Sequence, residues 1–216
     1  MRAREAVEIR VYLIRHGQPE ALDGQKRCIG RTNLPLSHAG MLQAEEAAIY
    51  LADKGICALY ASPLIRAVDT ARIIGHRLRL PVFYDADLQE LDAGQWDGLT
   101  FSEIASRWPP LYAQRGLHIG TCPPPDGESF QTAGERLSRA LHRICASESG
   151  NIAIISHSGA ARGWLCRELG LPSDDVLRLP QPYGGITAAD WTGAGFRILY
   201  CGMQPGVISE GSAASA

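Results

Sequence analysis

Two arginines, two histidines and one glutamate stand out because each lies at or soon after the end of a predicted strand. Arg15 and His16 end the first apolar run, and His157 ends a later one. Arg66 lies in the first turn of a predicted helix that follows a strand, and Glu90 follows another strand after a short link. Parallel strands end at one edge of a sheet, where α/β proteins bind ligands. The sequence therefore predicts that these five side chains converge at that edge.

These residue types suit the transfer of a phosphoryl group to a side chain. A neutral imidazole is a nucleophile toward phosphorus near pH 7, and a second imidazole can add a hydrogen-bond donor. Guanidinium groups bind non-bridging oxygens, and a carboxylic acid can protonate the departing alkoxide. Helix N-termini after Pro63 and His157 would add donors for an anion. Glycine after each histidine segment would let the backbone approach the bound group closely.

Strands and helices alternate along the chain. Short β-branched or apolar runs predict strands over residues 9–14, 56–61, 82–84, 152–156, 186–191 and 196–200. Capping residues and helical spacing predict helices over residues 38–54, 63–78, 129–147 and 159–169. This alternation predicts a three-layer α/β/α sandwich whose mostly parallel central sheet ends in an antiparallel hairpin.

One stretch, residues 92–130, departs from the alternation because it is rich in proline and glycine. It contains a short helix that opens with a capping box formed by Thr100 and Glu103. We expect one domain over residues 1–205, in which residues 92–130 are an insertion over the active site. Residues 206–216 are small and polar, and we expect a disordered tail. The aromatic residues of the insertion are expected to form its core rather than a pocket: Trp96, Phe101 and Trp108.

Composition excludes several classes of protein. The 216 residues carry 21 positive and 23 negative side chains, which excludes a strongly basic nucleic-acid binder. No apolar run is long enough for a membrane helix, and residues 1–8 lack the apolar stretch of a signal peptide. The six cysteines are scattered, with neither a C-x-x-C pair nor the C-x5-R pattern of a thiolate phosphatase. We therefore expect a cytoplasmic protein with reduced thiols.

Several motifs resemble, in order along the chain, those of the histidine phosphatase superfamily, also called phosphoglycerate-mutase-like. They are Leu-Ile-Arg-His-Gly-Gln at residues 13–18, Gly-Arg-Thr-Asn-Leu-Pro-Leu-Ser at 30–37, Ser-Pro-Leu-Ile-Arg-Ala at 62–67, Leu-Gln-Glu at 88–90, Gly-Glu-Ser at 127–129 and Ile-Ile-Ser-His-Ser-Gly at 154–159. The resemblance spans nearly the whole chain. It implies that His16 becomes a phosphohistidine, with no metal or other cofactor.

The resemblance also implies roles for the remaining residues. Arg15, Arg66 and His157 would hold the phosphoryl group, and Glu90 would be the proton donor. The residues expected to bind the rest of the substrate are Gln18, Arg27 and Ser158.

Four positions depart from the usual pattern of this family: Pro19, Leu22, Asn33 and Asp97. Pro19 and Leu22 lie nearest the pocket, where many members have polar residues, so they leave the substrate contacts open. We hypothesise that Arg27 or Arg31 supplies the missing contact with the substrate.

The modest insertion favours a phosphatase because an open pocket admits water to the phosphorylated enzyme. The expected partner is a small phosphorylated metabolite, with α-ribazole 5′-phosphate as a specific hypothesis. A mutase and a non-enzymatic phospho-ligand binder are the alternatives. An aspartate-nucleophile phosphatase is disfavoured because Gln89 breaks its motif at residues 85–89. We expect neither nucleic acid nor membrane as a partner, and a homodimer stays open.

Overall fold

The computed structural model describes residues 9–207. The strands are β1 (Ile9–Arg15), β2 (Ile56–Ala61), β3 (Val82–Tyr84), β4 (Asn151–Ser156), β5 (Ile186–Trp191) and β6 (Phe196–Met203). The α-helices are α1 (His38–Leu51), α2 (Ile65–Leu78), α3 (Phe101–Arg107), α4 (Pro109–Leu117), α5 (Phe130–Ser147) and α6 (Ser158–Glu168). Short 3-10 turns lie at Ala86–Leu88, Gly94–Trp96, Ser173–Arg178 and Pro205–Val207.

The strands form one sheet in the order β3-β2-β4-β1-β5-β6. The first four strands of that order are parallel, whereas β5 is antiparallel to both β1 and β6. The predicted mostly parallel sheet with a terminal hairpin is therefore confirmed. Because β1 and β4 are central neighbours, the segments that follow them emerge side by side.

Alternate residues of the central strands enter two separate hydrophobic cores, as the two-residue period of a strand requires. Val11 and Leu13 of β1 pack with α5 and α6, on the same side as Ile154 of β4. Tyr12 and Ile14 pack on the other side with α1 and α2. The sheet thus lies between two helical layers, which confirms the three-layer sandwich.

Two predicted helix boundaries differ from the structure by more than one residue. The first helix ends at Leu51 instead of continuing to residue 54, and residues 52–55 form a turn in which Gly55 has a φ of +62°. The second helix begins at Ile65, because Leu64 keeps an extended conformation as its N-cap. The carbonyl oxygen of the Asn33 side chain accepts from the Ile65 N–H at 2.7 Å, which satisfies one donor of the first turn.

The proline-rich stretch holds two helices where the sequence predicted one. The predicted capping box of Thr100 and Glu103 is present at the start of α3. Pro109 and Pro110 open α4, at positions where a missing N–H costs no helical hydrogen bond. At the other end of the chain, residues 206 and 207 belong to a 3-10 turn. The rest of the expected tail, residues 208–216, lies outside the described residues.

Candidate active site

The two histidines meet because β1 and β4 are neighbours in register. Arg15 of β1 pairs with Ser156 of β4, and His16 N–H donates to the Ser156 carbonyl at 3.1 Å. His16 and His157 therefore leave the sheet at the same level, with their ring centroids 4.9 Å apart. Both side chains are buried. The pairing of two strands thus places two imidazoles beyond the carboxyl edge of the sheet.

His16 has a defined tautomer because of its two neighbours. Its Nδ1 lies 2.7 Å from the Gly17 carbonyl, which can only accept, so Nδ1 carries the proton. The lone pair of Nε2 accepts from Arg66 Nε at 3.2 Å. Burial, followed by the charges of Arg66 and Arg15, holds the pKa of His16 well below its usual value. The side chain is therefore a neutral imidazole with Nε2 as its nucleophilic nitrogen.

Arg66 is anchored by backbone carbonyls from a distant loop. Its Nη1 donates to Thr32 O at 2.8 Å and its Nη2 to Gly30 O at 2.6 Å. Thr70, one turn later, accepts from Gly17 N–H at 3.0 Å and donates to Arg66 O at 2.7 Å. Burial lowers the pKa of Arg66, yet a guanidinium stays charged at neutral pH. The result is a fixed cation beside the nucleophilic nitrogen.

Arg15 adds a second cation on a different support. Its Nη1 donates to Gln181 O at 2.6 Å, and the guanidinium lies 3.6 Å from the centre of the Tyr183 ring. Its Nε is buried without a hydrogen-bond partner among the described residues. Tyr183 also lies 5.7 Å from the His16 ring, centroid to centroid. Arg15 thus has an unused donor on a buried nitrogen.

His157 presents a donor of the same kind. Its Nε2 lies 2.7 Å from Ser62 Oγ, which also accepts from the Leu64 N–H at 3.3 Å. Ser62 Oγ can accept from Leu64 N–H and donate to Nε2 at the same time, and in that arrangement the proton of the neutral ring is on Nδ1. Nδ1 has no partner among the described residues. Burial, with Arg66 and His16 as further causes, keeps the pKa of His157 well below its usual value.

Glu90 completes the group at the N-terminus of α6. Its carboxylate accepts from Gly159 N–H at 3.1 Å, Ala160 N–H at 3.0 Å and Leu91 N–H at 2.8 Å. A Cβ on Gly159 would lie 2.6 Å from Glu90 Oε1, so a larger residue would displace the carboxylate from this position. At Gly17 the space is filled by the backbone of Gly40. The two glycines therefore make room for protein atoms, which corrects their predicted role toward a bound group.

A buried arginine from α5 fixes the segment that carries Glu90. Arg136 donates to the carbonyls of Asp87 at 2.7 Å, Gln89 at 3.1 Å and Glu90 at 3.2 Å. The Nε and Nη2 atoms of Arg136 also bind Glu128, at 2.9 and 2.8 Å. Single-sequence reasoning missed Arg136, because nothing in its helical position indicates that it reaches this loop.

Arg31 belongs to the same scaffold and not to the rim of the site. Its guanidinium pairs with Asp92 at 2.9 Å and with Glu128 at 3.2 Å. The hypothesis that Arg31 supplies a substrate contact therefore has no support in its geometry. Asp97 also serves the backbone, since its carboxylate accepts from the N–H groups of residues 30, 31 and 32.

A cleft of about 630 Å³ opens over the two cations and His16. Its walls include the three residues predicted to bind substrate: Gln18, Arg27 and Ser158. Arg27 also pairs with Asp23 and donates to Gly98 O at 2.8 Å, which holds it at the rim. Pro19 and Leu22 line the same cleft, so the two unusual positions lie where a substrate would pass.

The aromatic residues of the insertion separate into two groups. Trp96 is buried and packs against Trp108 at 6.4 Å between ring centroids, as expected for a core. Phe101 is 47% exposed and lines the cleft, which corrects its predicted place in the core. Its position at the start of α3, beside the open cleft, explains the difference. Phe101 is therefore available for contact with a ligand.

Two further observations concern the described residues as a whole. Residues 9–207 contain no cluster of three or more His, Cys, Asp or Glu side chains arranged to hold a metal ion. Over the same range, no helix combines the length and apolar character needed to cross a membrane.

Comparison with known proteins identifies the family to which this chain belongs. A model of the "Histidine phosphatase superfamily (branch 1)" matches residues 11–203. "Bifunctional protein Rv2228c" of Mycobacterium tuberculosis is 39% identical over 201 residues, covering 92% of this chain and 55% of the relative. The chain thus spans about half the length of such curated relatives.

Solved structures share the same fold. Mycobacterial glucosyl-3-phosphoglycerate phosphatase Rv2419c aligns with a TM-score of 0.80 and 26% identity, covering 91% of this chain and 99% of the other. The α-ribazole phosphatase from Shigella flexneri aligns with a TM-score of 0.79 and 26% identity, covering 91% and 97%. The two share this fold but differ in the substrates that their names give.

Proposed function

This chain belongs to branch 1 of the histidine phosphatase superfamily, and on that premise we propose that it hydrolyses phosphomonoesters through a phosphohistidine. One observation carries the proposal. His16 is held neutral, with its Nδ1 proton on a carbonyl and its Nε2 lone pair 3.2 Å from the Arg66 guanidinium. That arrangement suits attack on a phosphorus whose oxygens the neighbouring cations bind.

In the first step, Nε2 of His16 forms a bond to phosphorus as the bond from phosphorus to the leaving oxygen breaks. Protonated Glu90 donates its proton to that oxygen, so the product leaves as an alcohol. The non-bridging oxygens are bound by Arg66, by Arg15 through its unpaired Nε, and by His157 through Nδ1. The Gly17 carbonyl stabilises the positive charge that develops on the imidazole.

In the second step, water attacks phosphorus and the bond between phosphorus and Nε2 breaks. The carboxylate of Glu90 takes the proton from the attacking water, which restores the acid for the next cycle. His16 returns to its neutral form, and inorganic phosphate leaves. The chemistry proposed here needs no metal ion, since the donors come from the side chains themselves.

The proposal extends to the placement of the substrate. Residues 92–130 are proposed to cover the active site as an insertion within one domain of residues 1–205. Trp96, Phe101, Arg115 and Ile119 of this stretch line a cavity that adjoins the cleft, which supports the assignment. Gln18, Arg27 and Ser158 are proposed substrate contacts because they line the cleft.

The substrate is proposed to be a small phosphorylated metabolite. α-Ribazole 5′-phosphate, a metabolite of cobalamin synthesis, is one specific hypothesis, supported by the structural likeness to an α-ribazole phosphatase. A second hypothesis is glucosyl-3-phosphoglycerate, supported by the likeness to the mycobacterial phosphatase. Release of phosphate from a panel containing these two compounds and simple sugar phosphates ranks the hypotheses.

The cellular setting is also a proposal. All six cysteines are free in the structure, which supports a reducing compartment such as the cytoplasm. Light scattering coupled to size-exclusion chromatography tests whether the chain forms a homodimer.

The catalytic proposal is tested with the variant His16→Ala. We expect it to release phosphate from 4-nitrophenyl phosphate at less than about one hundredth of the wild-type rate. The matched control is His76→Ala, since His76 is an exposed histidine on α2. More than a few per cent residual activity in the first variant would show that His16 is not the nucleophile.

To distinguish a mutase from a phosphatase, the protein is incubated with 3-phosphoglycerate and a trace of bisphosphate primer. Release of inorganic phosphate without formation of the 2-phospho isomer is the expected result. A phospho-ligand binder would show neither reaction.

A further inference from the structure

A second cavity of about 330 Å³ adjoins the catalytic cleft, and the proposed mechanism does not use it. Glu90, Phe101 and Ser158 line both spaces, whereas His16 lines only the cleft. In the mechanism proposed above, the leaving oxygen takes its proton from Glu90, which lines the cleft together with His16. The remainder of the leaving group can then extend past Glu90 into the second cavity.

The walls of this cavity are mostly apolar. Trp96, Ile119, Phe130 and Leu177 line it together with Phe101. Its volume falls near the lower end of the usual range for small-molecule sites, about 300–1,000 Å³. Aromatic and aliphatic walls suit a flat, apolar body such as a ring.

The same cavity carries more positive than negative charge, and one of its three arginines, Arg27, is already paired with Asp23. Arg162 and Arg115 both line it, and burial lowers the pKa of each. Arg115 is engaged by the protein, since it donates to the Cys122 carbonyl and lies 5.5 Å from the Phe130 ring centre. Glu90 is the one acidic residue among the described residues that line the cavity.

Arg162 is the cation that stays available. It lies four residues after Ser158 on α6, and therefore on the same face of that helix. Its Nε donates to Leu179 O at 3.0 Å, which fixes the direction of the side chain. Its terminal nitrogens have no hydrogen-bond partner among the described residues. A half-buried guanidinium with two free nitrogens is suited to a forked contact with an oxyanion.

Building on the phosphatase function proposed above, we propose that the second cavity binds the leaving group and that Arg162 binds an oxyanion on it. The substrate class is a phosphomonoester whose alcohol carries a carboxylate or a second phosphate on a compact apolar frame. This class differs from α-ribazole 5′-phosphate, whose leaving group has no anionic substituent.

The test compares three aryl phosphates with the same ring. They are 3-carboxyphenyl phosphate, its neutral isostere 3-carbamoylphenyl phosphate, and 1,3-phenylene bisphosphate. We measure kcat/KM for each with wild type, Arg162→Met and the matched control Arg167→Met. Arg167 lies on the same helix with its side chain 60% exposed, and it does not line the cavity. The bisphosphate shows whether a second phosphate serves as well as a carboxylate.

The decisive quantity is the ratio of kcat/KM for the carboxylate compound to kcat/KM for the carbamoyl compound. Wild type and Arg167→Met should favour the carboxylate over the carbamoyl compound by about tenfold or more in kcat/KM, as a charge-assisted contact predicts. Arg162→Met should reduce that ratio to about one. A substitution that only disturbs the fold would lower both rates together and leave the ratio unchanged.

Two results would overturn the proposal, and a third would overturn the phosphatase function on which it rests. Equal rates for the charged and neutral compounds in wild type would exclude an anion site. An unchanged ratio in Arg162→Met would show that another group binds the anion. If wild type released no phosphate from any of the three compounds, the phosphatase function itself would fail, and this inference with it.

Discussion

Two neighbouring regions of the molecule are built in different ways. One is the group formed by Arg15, His16, Arg66 and His157, and the other is the second cavity. The first, here named the phosphate cage, comes from strand ends and helix starts, and its arginines and His16 are held by hydrogen bonds to backbone carbonyls. The second cavity takes its aromatic walls from the insertion and most of the rest of its lining from residues 27–30, the Glu90 segment and α6, and these walls are mostly apolar. In the two proposals above, the sheet edge performs the reaction, whereas the second cavity selects the leaving group.

The cage should respond to substitution far more strongly than the cavity. Arg66→Ala removes a buried cation and leaves the carbonyls of Gly30 and Thr32 without their donor. We expect kcat/KM to fall about 10³-fold on every phosphomonoester, whatever its leaving group. Arg72→Ala, an exposed arginine on the same helix, should stay within about twofold of wild type. A loss restricted to particular leaving groups would place Arg66 outside the cage.

Glu90 lies at the boundary between the two regions, and its effect should depend on the leaving group. Glu90→Gln keeps the shape but removes the acid, so kcat/KM on glycerol 3-phosphate should fall about 10²-fold. On 4-nitrophenyl phosphate, whose leaving group needs no proton, formation of the phosphoenzyme should fall by less than about tenfold. Pre-steady-state release of nitrophenol measures that step. Equal losses on both compounds would contradict the acid role.

Substitution of Arg136, which holds the backbone next to Glu90, should give a smaller loss of activity with the same dependence on the leaving group. Arg136→Met removes the donors to the carbonyls of residues 87, 89 and 90, which lets Glu90 move from its position. We expect about a tenfold loss on glycerol 3-phosphate and less on 4-nitrophenyl phosphate. Arg143→Met is a matched control because Arg143 binds only the side chains of Asp85 and Asp87. Identical behaviour of the two variants would show a general loss of structure.

The wall of the cavity should affect selectivity more than rate. Phe101→Ala removes an aromatic face shared by the cleft and the cavity. We expect kcat/KM on phenyl phosphate to fall about threefold to tenfold relative to its value on glycerol 3-phosphate. Phe83→Ala, at an exposed position on β3, should leave that ratio unchanged. A uniform loss on both substrates would show that Phe101 only supports the insertion.

The two buried histidines should make the stability of the fold sensitive to acid. Both have a pKa well below 6.5 in the folded protein, so the unfolded chain binds more protons as pH falls past 6.5. The free energy of unfolding should therefore decrease between pH 7.5 and 5.5, by up to about 1.4 kcal/mol per pH unit for each histidine. Urea titrations measure it. His157→Gln should show a shallower decrease, and an unchanged slope would contradict the assignment.

Much of the cage was predictable from sequence because its residues follow strands, and parallel strands end at one edge. Arg15, His16, Arg66, Glu90 and His157 all lie together as that rule requires. Their partners were not predictable, since contacts over long separations in sequence depend on tertiary packing. The missed partners include Ser62, Thr70, Gln181, Tyr183 and Arg136.

The insertion was the least predictable part. Its prolines indicate loops when read singly, but Pro109 and Pro110 begin a helix in the structure. Aromatic residues in an irregular segment also give no periodic signal, so the exposure of Phe101 could not be separated from the burial of Trp96. The cavity that these residues form became visible only once the insertion was placed on the sheet.

The central claim is that His16 carries the phosphoryl group, and one measurement tests it most directly. The enzyme is mixed with 4-nitrophenyl phosphate, quenched in alkali within milliseconds, and digested for mass spectrometry. We expect an acid-labile, alkali-stable phosphate on the peptide that contains His16, and none in His16→Ala. Phosphate on any other residue, or rapid hydrolysis with no phosphoenzyme at any quench time, would contradict it.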